Sequence, residues 1–307
     1  MTEPVKLSSS SIGTFASCQK LFWFNRYSGL EGRDFTSDAI ERGSLFHAGI
    51  AAALRQTDPL KNLKVATAAV DELYSAGTGS VDERDSAVEM LRYYLDGLSI
   101  NRSNFAYKLN GIPLVEYEFD VPFEGFSLRG SIDAVIRDSE GHVFCVDWKT
   151  RRTPYDQLAV AHDKQLYLYC KILQMEGIEL DGAMQIQLSP SVPQPLKFKV
   201  DSDINLASSL NERSGKTTKE MFDKSIAHMS ASERLLAQLK MGNKVTDVSD
   251  FKRLSPINLE DVDAVFNTIL AWGRRIANEA EFLPVLNSFN CKSCQFLVEC
   301  RASLKVQ

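Results

Sequence analysis

No apolar run in the 307 residues approaches the roughly 20 that a membrane-spanning helix needs, which excludes a helical membrane span. The opening MTEPVKLSSSS lacks the apolar core of a secretory signal, so a cytoplasmic location is expected. Positive charge is not in excess: 35 Lys and Arg against 40 Asp and Glu leave a net charge of −5. A globally basic nucleic-acid binder is thereby excluded, whereas a local basic groove is not. Six cysteines are too few for a disulfide scaffold in a chain of this size. There is no internal repeat and no low-complexity linker. A G-x-x-x-x-G-K-[ST] phosphate loop is also missing, so the chain carries no helicase motor of its own.

What is present is an ordinary globular composition, 44% hydrophobic and 24% charged, long enough for one large domain or two small ones. Residues 8–30 read as a serine-capped aromatic helix ending at Gly29, and residues 37–55 as a second helix with an apolar stripe. Further helices are expected near 60–76 and 82–98. PLVEYEFDV, FSLRGSIDAVIRD and VFCVDW read as three strands, the last two joined by the turn SEGH. A long helix from Thr153 to Gly177 and a strand, GAMQIQLSP, follow. The remainder reads as mainly helical, polar over 201–250, and ends in a cysteine cluster.

Two aspartates punctuate this core. Asp133 lies on GSIDAVI, and Asp147 lies fourteen residues later at the end of FCVDW. Antiparallel strands joined by a short turn can bring them together, and paired carboxylates that repel each other commonly share a divalent cation. Lys149 is two positions beyond Asp147 and faces the same side of an extended strand. Such a lysine can orient water and stabilise charge developing on a phosphate. The plain alternative is an Asp147–Lys149 salt bridge beside a solvated Asp133. A carboxylate on a mostly buried strand favours the first reading, because burial without a partner is costly.

GSIDAVIRDSEGHVFCVDWKT resembles the central motif of the PD-(D/E)xK nuclease superfamily, specifically its RecB-like branch. That branch includes the AddB C-terminal nuclease and the CRISPR-associated RecB-like exonucleases. G-x-x-D is Gly130–Asp133 here, and the closing acid-x-lysine-threonine is Asp147–Thr150. RGSLFHAG resembles the upstream G-x-x-x-H element and makes His47 a metal ligand, although AGIAAAL after it lacks the acid often seen there. HDKQLYLYCKIL resembles the Q-x-x-x-Y element and offers Gln165 and Tyr169, at i and i+4 on one helix face, to DNA. The resemblance also implies that the Trp148 carbonyl binds metal, and that Glu116 or Glu118 supplies a further acid.

The resemblance implies an α/β, restriction-endonuclease-like fold: a mixed β-sheet core flanked by helices, with an α-helical N-terminal region. The expected organisation is a single nuclease domain over 1–307. It has a helical part over 1–100 carrying Cys18 and His47, and a catalytic core over 111–200. Residues 201–250 are expected to form an insertion or mobile arm, and residues 251–307 the C-terminal helices and cysteine cluster.

Cys291, Cys294 and Cys300 form C-x2-C-x5-C, and a fourth partner would be Cys18, some 270 positions upstream. Four thiolates suit zinc or an iron–sulfur cluster, and residue chemistry does not separate them. The resemblance does: these flanks look like those that hold a 4Fe–4S cluster and staple the termini. Cys145 and Cys170, in apolar segments, are expected in the core. Lys149, Arg151, Arg152, Lys164 and Lys171 lie near the motif in sequence, with Lys20 and Arg26 beside Cys18. Arg151 and Arg152 in particular are expected to hold phosphates without reading sequence.

The expected protein is therefore a Mg²⁺- or Mn²⁺-dependent DNA exonuclease of recombination, repair or phage DNA processing. It would act on single strands or DNA ends, alone or beside a separate helicase or recombination protein. The alternative is a non-cutting module that binds DNA ends or a partner on the same fold.

Overall fold

The computed structural model describes residues 4–30, 37–56, 62–97, 105–138, 140–153, 155–192, 197–200, 206–209, 217–231, 234–235, 238, 245–246, 252–279, 281–285, 291–292 and 294–304. A short strand, β1 (Val5–Leu7), leads into α1 (Ser9–Ser17) and α2 (Gln19–Tyr27). The sequence pattern expects one helix here. The chain instead breaks at Cys18, whose extended backbone (φ −163°, ψ 107°) re-aims it. Ser8 starts α1 through a reciprocal capping pair with Ser11.

α3 (Asp38–Leu54), α4 (Asn62–Ser75) and α5 (Val81–Gly97) follow at the expected places and form one layer. Gly49 allows their close approach, because a Cβ there would sit 2.3 Å from Leu91 Cδ1 and 3.2 Å from the Ala66 carbonyl oxygen.

β2 (Phe105–Ala106) and a small hairpin, β3 (Lys108–Leu109) and β4 (Ile112–Pro113), precede the long strands β5 (Val115–Phe123), β6 (Phe126–Arg137) and β7 (Val143–Thr150). A crossover through α6 (Gln157–Ala161) and α7 (Lys164–Met175) returns the chain to β8 (Gly182–Leu188), which runs parallel to β7. The single crossover helix expected from the pattern is split at Asp163, whose carboxylate accepts from the Gln165 N–H at 2.9 Å and caps α7.

Beyond β8 come the hairpin β9 (Lys197–Val200) and β10 (Leu206–Ser209), then β11 (Thr217–Thr218), α8 (Lys219–Ile226) and β12 (Val245–Thr246). Most of the expected arm over 201–250 falls outside the described residues. β13 (Lys252–Pro256), α9 (Val262–Ala277) and α10 (Leu297–Leu304) complete the chain.

The main sheet runs β1-β6-β7-β8-β13, with β2 and β5 paired to the other edge of β6. It is mixed: β1–β6 and β7–β8 are parallel and the rest antiparallel. One face packs on α1, α7 and α9 through Leu128, Ile132, Cys145, Leu168 and Phe266, and the other on α3–α5 through Ala134, Val146, Trp148 and Ile186. Cys145 and Cys170 are both in this core, as expected. β13 lies where the sequence pattern reads helix. Its polarity is inverted, with Ser255 buried and Leu254 exposed, so apolar alternation gives no strand signal there. No described helix is long and apolar enough to cross a membrane.

Candidate active site

The site forms where two strands part. β6 and β7 are paired from Arg137–Val143 to Ala134–Val146, and beyond that point β7 stays paired only to β8, as far as Thr150. Asp133 and Asp147 occupy the first position past the split on each strand. The Trp148 N–H donates to Asp133 Oδ2 at 2.7 Å, so a side chain replaces the missing strand acceptor. Gly130 is needed beneath this point, since a Cβ there would come within 2.9 Å of Phe119 Cζ.

Lys149 shares a face with Asp147, as strand periodicity requires. Its Nζ donates to Asp147 Oδ1 at 2.8 Å and to Gln165 Oε1 at 3.1 Å, and Gln165 Nε2 donates to the Tyr169 hydroxyl at 2.6 Å. Gln165 and Tyr169 thus brace the lysine from α7. His47 arrives from the opposite layer. Gly43 of α3 lies 3.3 Å, measured from an added Cβ, from Thr150 Oγ1, which brings the helix against the end of β7. One turn later His47 Nε2 donates to the Trp148 carbonyl at 3.0 Å, while Nδ1 lies 3.6 Å from Asp133 and 3.7 Å from Glu116.

Of Glu116 and Glu118, between which the sequence leaves the choice open, Glu116 is the one near His47 and Asp133. Glu116 falls between the paired positions Val115–Ala134 and Tyr117–Ile132 and is in left-handed conformation (φ 48°), an uncommon and strained state for a residue with a side chain. This carries its carboxylate to His47 and Asp133, where Ser131 Oγ donates to it at 3.1 Å. Glu118 stays in the regular ladder opposite Ser131, exposed. His47, Glu116 and Asp133 each offer a ligand atom within 4.8 Å of the others. Asp147 stands outside that trio, held by Lys149 and by Gln185 Nε2 at 3.3 Å.

Electrostatics fit a cation. Burial, and then the neighbouring charge of Asp147, push the Asp133 carboxyl up to about 7. Burial likewise raises Asp147, against the pull of Lys149. Burial opposes protonation of His47 and Lys149, yet the surrounding carboxylates win and raise both. Two buried acids that resist joint ionisation, flanked by an imidazole, a third carboxylate and a peptide carbonyl, form a donor set suited to a hard divalent ion.

Sequence reasoning missed Asp163 and Gln185. Gln185 is fully buried, and its amide bridges Asp147 and Asp163 (3.3 and 3.1 Å). The signal was there in GAMQIQL, where two glutamines at period two stripe one face of an apolar strand. The second, Gln187, pins the Tyr155 backbone. Arg151 lies over the Tyr155 ring at 3.7 Å, and Arg152 is exposed beside it. Lys171 points away and pairs with Asp263 of α9, while Arg26 donates to the Lys6 carbonyl.

At the far end, α2 meets the C-terminal segment. Lys20 N–H donates to the Leu283 carbonyl (3.1 Å), Gln295 to Asn25 (2.7 Å), and Phe24 stacks on Phe296 at 5.0 Å. The N-terminal aromatics Phe22 and Phe24 are buried in this packing. Cys18 comes near enough to Cys291, Cys294 and Cys300 that the Cys300 thiol, raised mainly by burial, also feels the other three. No three of these sulfurs, however, lie within 4.8 Å of one another among the described residues.

A mixed sheet whose parting strands present two acids and a lysine beside a histidine is the framework of a nuclease. The chain belongs to the PD-(D/E)XK nuclease superfamily, whose family model matches residues 6–301. Among solved structures, SSO0001 is similar at 12% identity (TM-score 0.33), over 98% of this chain and 88% of that one. A protein of Eubacterium rectale provisionally named an exonuclease is similar at 12% identity (TM-score 0.41), over 94% and 92%. No curated protein matches the chain.

Proposed function

We propose that the protein is a metal-dependent DNA exonuclease of the RecB-like branch. The observation that carries this reading is Lys149 held between Asp147 and Gln165, beside the His47–Glu116–Asp133 group. His47, Asp133, Glu116, Asp147 and the Trp148 carbonyl would hold Mg²⁺ or Mn²⁺, which supplies Lewis-acid activation of water and neutralises phosphate charge. Lys149 keeps its charge and presents it to the scissile phosphate, where it stabilises the transition state. Gln165 and Tyr169 fix its direction and edge the DNA path. Arg151 and Arg152 hold the strand by its backbone. A mere binding module would have no need for this buried, mutually repelling set.

The four cysteines are proposed to carry a 4Fe–4S cluster that staples the termini of a single domain. Support for the cluster over zinc comes from the resemblance of the Cys18 and C-x2-C-x5-C flanks. Recombination, repair or phage DNA processing would suit a cytoplasmic enzyme of this kind, any unwinding coming from a separate helicase.

Glu116→Gln is expected to weaken metal activation about 10- to 100-fold, read as the metal concentration giving half-maximal hydrolysis. Glu118→Gln should leave it unmoved. The exonuclease reading is tested with linear DNA blocked at the 5′ end, the 3′ end or both, alongside circular DNA. Protection by one blocked end and survival of the circles are expected. Cutting of circular DNA at the same rate would replace this reading with an endonuclease.

A further inference from the structure

Arg42 lies on α3 immediately before Gly43, the glycine that packs against Thr150 at the end of β7. It is 9% exposed, and its Nε is buried with no hydrogen-bond partner. No ion pair or hydrogen bond reaches its guanidinium among the described residues. The Glu83 carboxylate is taken by the Ser80 hydroxyl, and Asp38 is exposed; both act on Arg42 only through space. Arg152 lies two residues beyond Thr150, against which Gly43 packs, and its guanidinium disfavours the charged form of Arg42 next after burial itself. Arginine cannot escape by losing its proton. A buried, unpartnered cation beside a like charge is a costly arrangement that an anion would relieve.

We propose that Arg42 and Arg152 form a phosphate clamp that holds a phosphodiester of the DNA strand adjacent to the one being cut. The inference rests on the nuclease reading and deepens it. Arg152 is three residues beyond Lys149, at most about 11 Å along the chain, so the clamped phosphate lies within a few nucleotides of the scissile bond. Arg151, spread over Tyr155, is the lesser partner. The clamp joins the helical layer to the catalytic strand through the substrate. It reads phosphate and carries no base specificity.

The test compares wild type, Arg42→Met, Arg42→Lys and Arg152→Gln in two measurements. The first is thermal melting without divalent metal, in inorganic phosphate against sodium chloride of equal ionic strength. Phosphate is expected to raise the melting temperature of wild type but not of Arg42→Met. Without phosphate, Arg42→Met should melt at or above wild type, since the uncompensated charge is gone. The second is steady-state hydrolysis of short linear DNA. Arg42→Met should raise KM about 10- to 100-fold with kcat unchanged, and lower the salt slope by about 0.7–0.9, the share of one phosphate. Arg152→Gln should act in the same direction. Arg42→Lys, with charge but no forked donors, should fall between.

A wild-type KM and salt slope in active Arg42→Met would overturn the clamp and spare the nuclease reading. So would Arg42→Met and Arg42→Lys both melting well below wild type, which would mark a structural arginine. If wild type cuts no DNA, the nuclease reading fails, and the phosphate shift in melting still decides the clamp.

Discussion

Lys149→Ala is expected to lower kcat for hydrolysis of linear DNA about 10²- to 10³-fold, the usual worth of one donor aimed at developing charge, with KM nearly unchanged. The basis is that Lys149 is the only cation in direct contact with Asp147 among the described residues, and Gln165 holds its Nζ from the other side. Carboxylates around it keep it protonated despite burial. Lys149→Arg should not restore the rate. A planar guanidinium cannot occupy the point shared by Asp147 and Gln165. Loss of the lysine also leaves Asp147, 1% exposed, without its counter-charge, at a cost of about 3–5 kcal/mol. Circular dichroism of the variant separates that effect from chemistry. A folded Lys149→Ala enzyme with wild-type kcat would remove Lys149 from the reaction.

The second large effect is expected from Cys18→Ala. A cluster linking Cys18 to Cys291, Cys294 and Cys300 closes a loop of almost the whole chain, for which the loop-entropy account gives a stabilisation on the order of 5 kcal/mol. For a protein of this size that corresponds to a fall in melting temperature on the order of 10 °C. The wild type should be brown and contain iron and acid-labile sulfide in equal amounts. Cys18→Ala should lose both, and the contacts of α2 with Leu283, Gln295 and Phe296 should loosen with them. Colourless wild type carrying stoichiometric zinc would contradict the cluster. An unchanged melting temperature in Cys18→Ala would contradict the staple.

Much of the site was legible because strand chemistry is local. Period-two alternation puts Asp147 and Lys149 on one face, and a short turn between β6 and β7 sets Asp133 across from them. What was not legible depends on tertiary geometry. Glu116 differs from Glu118 only through a left-handed backbone that no propensity announces. The breaks at Cys18 and Asp163 interrupt patterns that read as unbroken helix, because apolar periodicity does not register a single extended or capping residue. β13 is recruited by the open edge of β8 with its polar residue inward, the reverse of the usual signal. Arg42 reads as an ordinary charge on a helix until its burial is seen.

The central claim is that the parting strands β6 and β7 build a metal-dependent centre for phosphodiester hydrolysis. It is tested most directly by incubating purified wild type and Asp133→Asn with end-labelled single- and double-stranded linear DNA, with Mn²⁺, with Mg²⁺ and with chelator. The account predicts hydrolysis by wild type only when a divalent metal is present, and none by Asp133→Asn under any condition. DNA left intact by folded wild type with either metal, or cut equally well in chelator or by Asp133→Asn, would contradict it.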